Sequence, residues 1–134
     1  MIEKGWGHII REANDHIAAM NGKYYDKDAK RSVTYRSIIL VAEGAKLLTT
    51  RYAQLVAQEA KKAEGERREE LLRMADSLAW IAENPARTCW EAMQIVLLYQ
   101  LLLHTDGQAH GITLGRMDQY CGGFLEKELA EGSI

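Results

Sequence analysis

The chain has 134 residues, of which 47% are hydrophobic and 27% charged, enough apolar material for a single domain with a buried core. Its formal net charge of -2 and sequence pI near 6.1 leave no basic excess to neutralise phosphates, which argues against duplex nucleic acid or an anionic membrane as a partner. The longest apolar run, residues 95–103, is interrupted by Gln100 and falls well short of the roughly 20 residues a bilayer span needs, and MIEKGWGHII lacks the apolar length and small-residue cleavage site of a signal peptide, so Met1 is the expected start.

Ile2, Trp6, Ile9, Ile10, Ala13 and Ile17 recur with the period of one helix face and predict a first helix to about Met20. Asn21-Gly22 then offers a left-handed stop, and the polar tract from Lys23 to Lys30 reads as a connection or a frayed start. From about Arg31, the positions Tyr35, Ile38, Ile39, Ala42, Ala45, Leu48, Tyr52, Leu55 and Val56 keep helical spacing without a proline. They predict one long helix to about Ala63. Gly44 lies inside it, at a cost of about 1 kcal/mol against alanine. Either a close helix contact or simple tolerance accounts for it.

The charged stretch EAKKAEGERREELLR, residues 59–73, predicts a solvated hairpin, with opposite charges four apart at Glu64 and Arg68 and at Glu69 and Arg73. A functional charge patch is the sharper alternative, and the mixed signs speak against it. Leu71, Leu72, Ala75, Leu78 and Ala79 carry a third helix that ends near Glu83, because Pro85 disfavours helical geometry at Asn84. Thr88-Cys89-Trp90-Glu91 then matches a T-x-x-E capping box and predicts a fourth helix from about Cys89. Its segment from Ile95 to Leu103 is apolar almost all round and asks to be surrounded by other elements. After His104 the texture changes to TDGQAHGITLG, a glycine-rich loop near residues 105–115 in which Ile112 to Leu114 can form a short extended piece. Helical turns are expected at residues 116–120 and 124–130, around Gly122-Gly123 and ended by Gly132.

Few residues suggest chemistry. His104, Asp106 and His110 lie within seven residues and could be drawn as metal ligands or as an acid/base set, but the spacing matches no zinc signature and cap or turn roles explain it as well. No metal site is therefore assigned. Cys89 and Cys121 are far apart in sequence with no C-x-x-C pairing, which argues against a disulfide framework or zinc knuckle and for a reducing, cytoplasmic compartment. A nucleophilic cysteine would need a partner histidine. A hydrolase using Cys121 and His110 is the weakest reading, and packing is the commoner fate of Cys89. No P-loop, G-x-G-x-x-G or G-x-S-x-G pattern occurs.

Two stretches are more specific. ENPARTCWEAMQ at residues 83–94 and HGITLGRMDQY at residues 110–120, followed by LEKELAEGSI and preceded by the long-helix region YRSIILVAEGAKLLTTRYAQLVAQEA, resemble the pyruvate formate-lyase-like domain of glycyl radical enzymes. That group holds glycerol and diol dehydratases, choline lyase and hydroxyproline dehydratase. The resemblance covers most of this chain but an internal fraction of such an enzyme. It implies radical lyase or dehydratase chemistry, anaerobic metabolism, and a protein glycyl radical installed by a radical S-adenosylmethionine activase. It also implies that the thiyl cysteine and the radical-bearing glycine loop lie C-terminal to the matched region, so that this chain holds no catalytic residue and no cofactor of its own. The run RSVTY at residues 31–35 shares features with the glycine loop but lacks its glycine. Cys89 and Cys121 stand where family members commonly carry aromatic or aliphatic residues, so neither inherits the thiyl role. His110 matches the histidine of a G-H-S-I segment at the substrate pocket and is the one substrate-binding residue implied. Ala109 and Gly111 replace the glycine and serine beside it, so a hydrogen bond from that serine is missing.

The expected fold is all-α, a bundle-like segment of about five helices over residues 1–134, like the outer helices of a glycyl radical enzyme barrel. Its expected partners are the rest of the parent enzyme or a second copy, with the activase added by resemblance. The alternative is a stand-alone helical interaction or oligomerisation module without catalysis.

Overall fold

The computed structural model describes the chain apart from Met1, Asn21, Lys23, Tyr24, Asp26, Gln108, Ala109, His110 and Ile112, with the backbone alone for Asp106 and Gly107. Five α-helices follow one another, α1 Gly5–Ala19, α2 Lys27–Ala60, α3 Gly65–Ile81, α4 Cys89–Gly107 and α5 Met117–Glu131. Among the described residues there is no strand, and no helix is long and apolar enough to cross a membrane. Helix α2 is the spine, packing along α1 and α3, while α4 meets α2, α3 and α5.

The core lies where α2, α3 and α4 converge. Ala53, Leu78, Ile81 and Ile95 are buried there, with Ile2, Val56, Met74, Ala86 and Leu98 packed against them. The face that α2 buries is built from small residues, Ala42, Ala45, Thr49, Ala53 and Ala60, spaced in steps of three, four, four and seven. Small side chains let neighbouring backbones approach closely, and the Thr49 hydroxyl donates to the Ala45 carbonyl at 2.9 Å instead of seeking an outside partner. Only Ala42 and Ala45 of the larger apolar set expected to face the core are buried, whereas Ile38, Tyr52 and Leu55 are exposed. Gly44 has open space where a side chain would stand, so simple tolerance accounts for it.

Several boundaries differ from the sequence-based expectation. Helix α2 starts earlier, at Lys27, with Asp28 in its first turn suiting the positive end of the helix dipole. The expected hairpin over residues 59–73 shrinks to residues 61–64, and the charged residues after it form the first turns of α3. Gly65, at φ 56, makes the turn into that helix, and an i,i+3 pair between Arg67 and Glu70 at 2.5 Å supports it. Helix α3 stops at Ile81 and α4 runs three residues past His104. Helix α5 is continuous through Gly122 and Gly123, because glycine weakens a helix without removing its hydrogen-bond donor. Gly132 ends it at φ 65 as expected, with Ser133 N–H donating to the Glu128 carbonyl at 3.0 Å in a Schellman arrangement. Of the expected extended piece, Thr113 and Leu114 have no regular structure and Ile112 lies outside the described residues.

Candidate functional site

The segment between α3 and α4, residues 82–88, is where most of the chain is tied together. Pro85 prevents α3 from continuing, and the residues around it make the bonds that a helix would otherwise have satisfied. Asn84 donates its side-chain amide to the Trp80 carbonyl at 3.1 Å, and the Trp80 indole N–H donates to the Pro85 carbonyl at 2.8 Å. An N-terminal strap, residues 2–7 and so including the first residues of α1, docks onto the same turn, with Ala86 N–H on the Ile2 carbonyl and Gly7 N–H on the Glu83 carbonyl, both at 2.9 Å. Glu83 reaches Lys46 of α2 at 2.9 Å. Gly5, at φ 73, lies so close to Asn84 that a Cβ would stand 2.5 Å from its carbonyl carbon.

Thr88 starts α4 as the capping motif requires, its hydroxyl accepting the Glu91 N–H at 3.1 Å. The Glu91 carboxylate reaches one residue further back than the simple box, accepting the Arg87 backbone N–H at 2.7 Å. It is 1% exposed and holds the Arg87 guanidinium through Nε at 2.9 Å and Nη2 at 2.5 Å. Arg87 also reaches Asp76 of α3 at 2.8 Å and lies 4.6 Å from the Trp80 ring centroid. The two carboxylates hold the guanidinium well above its ordinary pKa, the Glu91 bond first and the Asp76 bond second. A carboxylate this deep is tolerable only with such a partner, so the group is a permanent clamp rather than an acid or base at work.

A second locality is an open cavity of 480 Å³ between the strap, α4 and α5. Tyr99 and Gln100 of α4 line it with Lys4, Thr113, Leu114 and Tyr120. The Tyr120 hydroxyl donates to the Leu114 carbonyl at 2.9 Å, which fixes one wall. Its lining is mostly apolar with a few polar groups, the usual make-up of a site for a small organic molecule.

His110, the residue singled out from the sequence, lies outside the described residues, so the trio His104, Asp106 and His110 is described only at His104, exposed in the last turn of α4. Among the described residues no group of three or more His, Cys, Asp or Glu side chains could hold a metal ion. Sequence separation concealed one pairing. Cys89 opens α4, Cys121 is the buried residue of α5, and the contact between the two helices brings them near one another. Both are free, and burial, with Cys89 beside it, pushes the Cys121 thiol up. The Cys89 N–H also points at the Glu128 carboxylate of α5, at 3.3 and 3.4 Å from its oxygens. Cys121 and Glu128 are seven apart, two helical turns, and so share one face, a clue available only once α4 and α5 were known to pack together.

The family model described as pyruvate formate lyase-like matches residues 1–134. Isethionate sulfite-lyase of Nitratidesulfovibrio vulgaris is 35% identical over 136 residues, covering 100% of this chain and 16% of that enzyme. The (2S)-3-sulfopropanediol dehydratase of Klebsiella oxytoca is 28% identical over 131 residues, covering 97% of this chain and again 16% of the relative. The crystal structure of a glycyl radical enzyme from Archaeoglobus fulgidus superposes with a TM-score of 0.93 at 31% identity, over 99% of this chain and 17% of that one. The chain therefore spans about one-sixth of the length of the relatives it matches, and corresponds to a helical segment of glycyl radical lyases and dehydratases. With its five helices, its tied turn before α4 and a family match from the first residue to the last, the chain belongs to the pyruvate formate lyase-like family.

Proposed function

We propose that these residues serve a radical lyase or dehydratase as scaffold and as part of a substrate cavity wall, while its thiyl cysteine and radical glycine lie outside the matched segment. The observation carrying this reading is that the whole chain matches a family whose members are about six times longer. The position of the cysteines supports it. A thiyl radical must meet its substrate, yet neither Cys89 nor Cys121 lines the 480 Å³ cavity. A glycyl radical installed by a radical S-adenosylmethionine activase supplies the hydrogen-abstracting chemistry in the complete enzyme, in a cytoplasmic and anaerobic setting. The residues of this chain position and enclose.

His110 belongs to this reading as a substrate-orienting residue. A neutral imidazole donates from one nitrogen and accepts at the other, which suits a hydroxylated substrate of the isethionate or propanediol kind. In the complete enzyme, His110→Ala is expected to leave radical formation intact and to lower turnover. Unchanged turnover removes His110 from the pocket. For the 134-residue chain itself, anaerobic incubation with the activase is expected to give no glycyl radical signal in electron paramagnetic resonance and no cleavage of isethionate. A radical signal on this chain alone would overturn the scaffold reading.

A second reading, an oligomerisation module without catalysis, is favoured by one feature. Trp90, Met93, Leu97 and Leu101 form an exposed apolar stripe along α4.

A further inference from the structure

We infer that the outer face of α2 is an antiparallel self-contact, a seam that a second copy of this chain covers about a twofold axis. The inference is independent of the enzyme reading above. Val33, Leu40 and Leu47 are exposed at 65%, 69% and 51%, seven residues apart along one side of α2. Ser37 and Gly44, also exposed and seven apart, alternate with them. Val33 stands nine residues from Ala42, Leu40 nine from Thr49 and Gly44 nine from Ala53, and nine residues are about two and a half turns. The ridge therefore points directly away from the small-residue face that α2 buries, and no other part of the chain lies within 4 Å of where a Gly44 side chain would stand.

Large and small residues alternating at this spacing fit their own copy in one orientation. When two α2 helices run antiparallel with Leu40 level with Ser37 of the second copy, Val33 falls level with Gly44 of that copy and Leu47 with the stem of its Lys30. Each large side chain then meets a small or flexible one, and Gly44 lets the backbones approach. A parallel pair puts like on like, leucine on leucine and glycine on glycine, and leaves a gap at Gly44. The flanking charges select the same register. Arg36 and Glu43 are exposed and seven apart on one flank, while Arg31 and Lys46 pair with Asp28 and Glu83. Among the described residues neither Arg36 nor Glu43 enters an ion pair. In the antiparallel register Arg36 comes within two residues, about 3 Å of rise, of Glu43 on the second copy, and the twofold axis repeats the pair. In a parallel pair that flank faces Val41 and Leu48 instead.

Exposed ion pairs set orientation more than strength, and a seam of three large apolar side chains per copy is small beside the about 1,200 Å² that a lasting interface buries. The contact is therefore brief, recorded by a covalent trap and not by a weighed mass. The test uses the 134-residue chain with Leu97→Glu, which silences the exposed α4 stripe, and Arg36→Lys, which keeps the charge and supplies an amine. Circular dichroism first checks that helix content is unchanged. An equal mixture of isotope-labelled and unlabelled chain is then treated with a water-soluble carbodiimide, which joins an amine to a touching carboxylate as an amide and takes up the water removed to become a urea. The expected product is a covalent dimer of mixed isotope content whose digest joins position 36 of one copy to Glu43 of the other, and it is lost when Glu43→Gln is added. Three results overturn the inference: no covalent dimer, a link between positions 36 and 43 found only within single copies, or a dimer yield that Glu43→Gln leaves unchanged.

Discussion

Thr88 and Arg87 stand side by side at the start of α4 and do different work. Thr88 satisfies one backbone donor, the Glu91 N–H at 3.1 Å, and its loss leaves that donor to water. Thr88→Ala is therefore expected to cost about 1 kcal/mol, the ordinary size of a cap, read as a lower urea midpoint with an unchanged slope. Arg87 neutralises a carboxylate that is almost fully buried, and its removal strands that charge. Breaking such a pair costs about 3 to 5 kcal/mol. Because the Arg87 side chain is 42% exposed, Arg87→Ala is expected near the bottom of that range, at about 3 kcal/mol. Chemical denaturation of the two variants orders them. If Arg87→Ala proves no worse than Thr88→Ala, water reaches Glu91 and the clamp is not what holds the turn.

At the scale of elements, the strap that leads into α1 and the turn before α4 depend on each other. Gly5 sits at a positive φ with its missing Cβ aimed at the Asn84 carbonyl carbon, so Gly5→Ala meets both backbone strain and a collision with main chain that cannot rotate away. The expected result is loss of the strap's hydrogen bonds at Gly7 and Ala86, seen as faster amide exchange at those two positions while the α2–α3 pair stays protected. Unchanged exchange would mean the strap shifts as a unit without cost. This docking was not legible in the sequence, where Trp6 and its glycine neighbours show only as part of a helical period. The capping box and Gly132 were legible because their partners lie within a turn or two. The placement of α2's core face was not, since alanines and a threonine bury there while Ile38, Tyr52 and Leu55 stay outside, and periodicity weights large residues over small ones. The ends of α3 were missed for a related reason, because charged residues at a solvated helix start look the same as a hairpin. Similarly, the contact of the Cys89 N–H with Glu128 depends on the packing of α4 against α5, which no local pattern encodes.

For the whole molecule, the decisive feature is the side of α4 turned away from α2 and α3. Trp90, Met93, Leu97 and Leu101 follow one another in steps of three, four and four, a single stripe, and Leu97 is 66% exposed. The all-round apolar character of this helix asks for neighbours on every side, and the chain's own helices supply them on one. In an enzyme six times longer the remaining polypeptide is the proposed cover. For this chain in isolation the same area must either face water or find a second copy, and burying apolar surface yields about 25 cal/mol per Å². Self-association is therefore the expected state at high concentration, through a patch that a twofold axis can place against itself. Light scattering should report a mass above that of one chain that falls on dilution, and Leu97→Glu, which sets like charges at the centre of the stripe, should return the monomer without loss of helix content. A monomer at every concentration would mean that water covers this face at tolerable cost, and would remove the oligomerisation module as an alternative to the enzyme-segment reading.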